Sequence, residues 1–187
     1  MYSLLDEIDL LPEKRTANIL NNLLKTMTHC HKLGIVHRDL KPENIVFKKK
    51  RKDVNDTSGD DDFRLIDFGL AYHNINNSKI KMTSILGTSY YIAPEILTRV
   101  NGYYNESCDI WSIGVILYVS LSGTTPFYGK NYFDIIKSIK NGKYDCNGST
   151  FKNISFDAKD LINKLLTYNP KKRININDAL KHNFFTN

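Results

Sequence analysis

The sequence predicts an α+β fold that is mainly helical. Helical spacing or unbroken apolarity fills most of the longer segments, and the β-prone pieces are short and crowd around one loop. Pro12 to Leu33 reads as the first long helix: Pro12 suits a first turn, Ala17, Leu20, Leu24, Met27 and His31 recur at spacings of three and four, and Gly34 stops it. Ile35-Val36, Ile45-Val46-Phe47 and Phe63 to Ile66 are the strand candidates, expected to pair in small hairpins. Asp109 to Leu121 lacks a polar face and therefore belongs at the centre of the core; Ser122-Gly123 and Pro126 end it. Helices are also expected at Tyr132 to Asn141, stopped by Gly142, and at Ser155 to Thr167, where Ala158, Leu161, Ile162 and Leu165 share a face. A last helix begins near Asn175, whose side chain can cap it in company with Asp178.

At 187 residues, with 41% hydrophobic and 25% charged residues, the chain can bury one sizeable core and reads as a single domain. The net charge of +6 comes from lysines spread along the chain, often beside asparagine. Without a basic face, a nucleic-acid partner is not expected. Cys30, Cys108 and Cys146 are isolated and lack metal-ligand spacing, which suits free thiols in a reducing compartment. Met1 to Leu11 carries Asp6, Glu7 and Asp9 instead of a basic and then apolar leader, and Ile113 to Leu121 falls short of the roughly 20 residues a membrane span needs. The expectation is an intracellular protein, cytoplasmic or nuclear.

A charged insert runs from Lys48-Lys49-Lys50-Arg51-Lys52 to Asp60-Asp61-Asp62. It reads as a solvated hairpin tip or as a nuclear-localisation or docking patch. An EF-hand register set on Gly59 would start at Val54 and end at Leu65, which offers no carboxylate, so calcium binding there is rejected.

The chemistry lies in His37-Arg38-Asp39-Leu40-Lys41-Pro42-Glu43-Asn44, followed by Asp67-Phe68-Gly69 and Ala93-Pro94-Glu95. Two carboxylates, a carboxamide and an ammonium in this order are what phosphoryl transfer requires. The series resembles the catalytic and activation segments of eukaryotic protein kinases, and Lys41 resembles the serine/threonine-specific form of the loop. Leu121 to Gly129, Asn141 to Tyr144, Ala158 to Ile162 and Asn169 to Arg173 are similar to the calcium- and calmodulin-dependent group, above all the calcium-dependent protein kinases.

The resemblance implies the protein-kinase-like fold, in its large C-terminal lobe over residues 1–187, with short β-hairpins at the cleft. It implies ATP and Mg²⁺ as cofactors and protein serine or threonine as substrate. Asp39 would act as base, Lys41 on the phosphoryl group, and Thr88 in contact with both. Lys41, Glu43, Asn44, Val46 and Asp67 would form the nucleotide side, with Asn44 and Asp67 on the metal. Ser3 stands where many members carry a glutamate that reads a basic residue of the substrate, so Glu43 remains as the reader of substrate arginine and the basic preference is weakened. His37, Arg38, Phe68, Glu95, Asp109 and Arg173 would be structural: Glu95 pairs with Arg173, and Asp109 anchors the loop. Thr83 and Ser84 are the candidate phosphoacceptors that Arg38 would meet.

The glycine-rich loop, phosphate-gripping lysine and helix glutamate of the family's N-terminal lobe have no counterpart in these residues. Nor do its calcium-binding lobes, so calcium control is not carried over. Residues 1–187 assayed by themselves are therefore expected to be inactive or nearly so, and a stand-alone docking module is the alternative.

Overall fold

A computed structural model describes residues 2–7, 11–48, 62–73, 80–81, 89–98 and 103–186. Thr83, Ser84, Thr88 and residues 49–61 of the charged insert lie outside these.

After a short strand β1 (Tyr2–Ser3) and a 3₁₀ turn at Leu4–Glu7, α1 runs over Glu13–Lys32. The Pro12 carbonyl accepts from Thr16 N–H (2.9 Å), and Gly34, at φ 73°, turns the chain out of the helix. The α1 stripe of Ile19, Leu20, Leu23, Leu24 and Met27 is buried. Next come β2 (Ile35–Val36), a 3₁₀ turn at Pro42–Asn44, β3 (Ile45–Phe47), β4 (Phe63–Leu65), β5 (Tyr72–His73) and β6 (Ile80–Lys81). The rest is mostly helical: α2 (Pro94–Thr98), β7 (Tyr103–Tyr104), α3 (Ser107–Ser122), α4 (Tyr132–Asn141), α5 (Phe156–Leu165) and α6 (Ile176–Ala179).

α3 is the core. Every residue from Cys108 to Ser122 is buried, and the helix packs on α1 and α5. Gly114 makes the second contact close, because a Cβ there would lie 2.8 Å from Leu165 and Leu166. The expected helices are present, but α5 stops at Leu165, short of Thr167. The carbonyls of Thr167 and Tyr168 accept instead from the Arg173 guanidinium (3.0 and 3.3 Å).

The strand pairings correct one expectation. β3 and β4 do pair, with Ile45 opposite Leu65 and Phe47 opposite Phe63, and β1 adds to the far edge of β3. β2, however, joins no hairpin with β3; it pairs with β5, Val36 opposite Tyr72. These two ladders clamp the loop between β2 and β3 against the turn between β4 and β5.

Candidate active site

The loop from His37 to Asn44 leaves β2 and is held first from below. Asp109, wholly buried at the start of α3, accepts from the backbone N–H of His37 (3.0 Å) and of Arg38 (2.8 Å). The same carboxylate accepts from His31 Nε2 at 2.9 Å. Three donors converge on one buried anion, which is how a carboxylate is stabilised away from water. Sequence reading had placed His31 only in the apolar stripe of α1. Its partner is 78 residues away, and a histidine within a helical apolar pattern was the sole signal.

His37 ties the loop to the neighbouring turn. Its Nδ1 accepts from Asp39 N–H (3.3 Å), so Nε2 carries the proton and donates to the Ile66 carbonyl (3.2 Å). Its ring meets Phe68 at a centroid distance of 4.7 Å. Arg38 donates through Nε to the Leu70 carbonyl and lies 5.8 Å from the centre of the Tyr72 ring. Arg38 and Asp67 both take positive φ, 71° and 60°, a conformation that costs a non-glycine residue of order 1–3 kcal/mol. The surrounding hydrogen bonds hold each of them there.

On this support the polar side chains gather. Lys41 Nζ lies 2.8 Å from Asp39 Oδ2. Asn44 Nδ2 donates to the Asp39 carbonyl (2.9 Å), which leaves Asn44 Oδ1 without a hydrogen bond among the described residues. The Asn44 carbonyl accepts from Ile66 N–H (2.9 Å), bringing Asp67 beside it on an exposed turn, where Asp67 Oδ1 accepts from Gly69 N–H (3.2 Å). Val46 is buried on the face of β3 opposite Ile45 and Phe47, which join the core. Glu43 has an oxygen, Oε2, that is buried and without a hydrogen-bond partner among the described residues. It faces Tyr91, whose phenol is pushed up first by burial and then by this carboxylate.

Glu95 and Arg173 form a two-pronged pair at 2.6 and 2.9 Å. Arg173 also donates to the Ser107 carbonyl (2.7 Å) and sits 5.0 Å from the centre of the Trp111 ring, so α2, α3 and the segment after α5 are tied together.

The Asp39 carboxylate, the Lys41 ammonium beside it and the Asn44 carboxamide share one loop, and the Asp67 carboxylate stands on the adjoining turn. The protein kinase domain family matches this chain over residues 1–185. The chain belongs to the protein kinase domain family. Similar kinases are named calcium-dependent protein kinase 4 of Plasmodium berghei (strain Anka), 48% identical over 91% of this chain, and calcium-dependent protein kinase 4 of Plasmodium falciparum (isolate 3D7), 49% identical over 89%. Calcium-dependent protein kinase 5 of Plasmodium berghei is 43% identical over 92%. The aligned part is 30%, 29% and 29% of these relatives, so the chain spans just under a third of their length. Of the kinase positions expected from sequence, Asp39, Lys41 and Asn44 are joined by hydrogen bonds, Asp67 is held next to Asn44 through Ile66, Glu43 and Val46 flank Asn44 along the chain, and His37, Arg38, Phe68 and Asp109 form their support.

Proposed function

We propose that the chain is the catalytic-loop and substrate-binding part of a serine/threonine protein kinase that transfers the γ-phosphate of ATP to a protein hydroxyl. The observation that carries this reading is the Asp39–Lys41 pair at 2.8 Å, fixed over Asn44. Asp39 takes or orients the proton of the attacking hydroxyl, an effect worth about 10² to 10⁴ in rate. Lys41 neutralises charge on the phosphoryl oxygens.

Asn44 and Asp67 supply a carboxamide oxygen and an exposed carboxylate, a hard-oxygen set that suits Mg²⁺. Bound there, the metal supplies charge neutralisation for the nucleotide phosphates. Val46 offers an apolar surface to the adenine. Glu43, a partly exposed carboxylate next to Asn44, favours a substrate carrying arginine. By the kinase resemblance Thr88 would serve beside Asp39 and Lys41, and Thr83 or Ser84, once phosphorylated, would engage Arg38; all three lie outside the described residues.

Residues 1–187 constitute the large lobe and work under a covering N-terminal lobe in an intracellular setting. Ile66 and Phe68 are exposed at the cleft, at 41% and 43%, and suit such a cover. The same exposure also favours a second reading, a lobe that docks a regulator there without transferring phosphate. Transfer of labelled phosphate from ATP to arginine-containing serine and threonine peptides decides between them. It is measured for the chain alone and for the chain fused behind the N-terminal lobe of the Plasmodium falciparum relative. Activity in the fusion and little in the chain alone is expected; an inactive, folded fusion leaves the docking reading.

A further inference from the structure

Away from the catalytic loop, two cavities of about 650 and 620 Å³ adjoin, and Lys143 and Tyr144 line both. One extends past the end of α4 to Phe156, Lys159 and Asp160 on α5. The other extends to Pro126 and Tyr128. No residue assigned to phosphate transfer lines either. The wall between them is rigid: Tyr144 donates to Asn163 Oδ1 (2.9 Å), and its ring meets Tyr118 and Phe127 edge-on. At the two ends Phe156 and Tyr128 are 81% and 78% exposed, large apolar side chains that the chain itself leaves uncovered.

The charges along this trough are unequal. Asp160 is engaged by Lys164 (2.5 Å) and His182 (2.9 Å), which hold its carboxyl below the ordinary range. Asp145 accepts from the Asn147 N–H (2.7 Å) and keeps its charge. Lys143 and Lys159 form no ion pair among the described residues. The trough therefore presents two cations outside any ion pair against the single carboxylate of Asp145, a net positive lining between two aromatic ends. Two linked pockets of this shape suit an extended segment whose alternate side chains enter them, and the charge selects carboxylates.

We infer that the trough binds an extended acidic segment of a partner protein, its carboxylates on Lys143 and Lys159 and its aliphatic side chains on Phe156 and Tyr128. This site is independent of the proposed transfer reaction.

The test uses the 187-residue protein and a fluorescein-labelled peptide of alternating glutamate and leucine, which has no hydroxyl to phosphorylate, followed by anisotropy. The expected result is binding that weakens as salt is added, with no comparable binding of the lysine–leucine counterpart. Lys143→Glu or Lys159→Glu should each weaken it by about tenfold, with the melting curve unchanged for Lys143→Glu because that side chain is exposed. Phe156→Ser should weaken it as well, and Asp39→Asn should not. No binding, equal binding of both peptides, or indifference to both lysine substitutions would overturn the proposal. So would a dimer in sedimentation that Lys143→Glu dissolves, because the occupant would then be a second copy of this chain.

Discussion

Asp109 is wholly buried and accepts three hydrogen bonds, two of them from the backbone of the catalytic loop. Asp109→Asn keeps the shape but removes the charge and turns one acceptor into a donor that faces other donors. Bonds to charged groups are worth about 1.5–3 kcal/mol each, so a loss of about 3 kcal/mol is expected in urea denaturation. Exchange of the His37 and Arg38 amides should quicken relative to those of α3, and unchanged protection of these two would contradict the anchoring role. Arg173→Met should cost about 3–5 kcal/mol by leaving Glu95 charged and unpaired, whereas adding Glu95→Leu should recover part of that loss. At this scale the sequence was legible where chemistry repeats in a fixed order, as from His37 to Asn44. It was not legible for His31, whose role depends on a residue that only the packing of α1 on α3 brings near.

Among the elements, α1, α3 and α4 were readable because each carries a complete pattern: a stripe, an all-apolar run, or a capped amphipathic turn. Asn131 caps α4 by accepting from Asp134 N–H (3.0 Å), and Gly142 closes it at φ 68°. The two-residue strands β1, β5, β6 and β7 were unreadable because so short a piece has no period; β2, equally short, was readable only from its β-branched pair Ile35-Val36, and its partner β5 was not. The contact between α3 and α5 is the element-scale prediction. Gly114→Ala places a methyl 2.8 Å from Leu165 and Leu166, so α5 must shift, with an expected loss of about 1–3 kcal/mol in denaturant melts. The higher helix propensity of alanine works the other way by about 1 kcal/mol. A net gain in stability would show that α5 can move away without strain.

For the whole molecule, burial leaves a pH signature. Cys30, Cys108 and Cys146 are pushed up chiefly by burial, Cys146 to about 11, and Tyr91, Tyr118 and Tyr144 likewise, Tyr118 to about 12. The unfolded chain releases these protons from about pH 8.5 for thiols and about pH 10 for phenols. Between those values and the raised ones, the folded chain holds more protons than the unfolded chain. Stability is therefore full below about pH 8.5 and falls as pH rises. Urea midpoints taken at about pH 7.5, 9 and 10.5 should decline in that order, and Cys146→Ser should flatten the first part of the decline. A midpoint independent of pH would contradict the burial of these groups.

The kinase reading rests on Asp39 acting together with Lys41, Asn44 and Asp67, and the most direct test is the rate of phosphate transfer by the Asp39→Asn variant. It is made in the fusion that supplies an N-terminal lobe, against the unaltered fusion, at saturating ATP and peptide. A fall in kcat of about 10² to 10⁴, with the KM for ATP close to unchanged, is the predicted result, because the residue serves the transferring proton and not the nucleotide. A kcat within about threefold of the unaltered fusion would contradict the assignment of Asp39, and with it the account of the site.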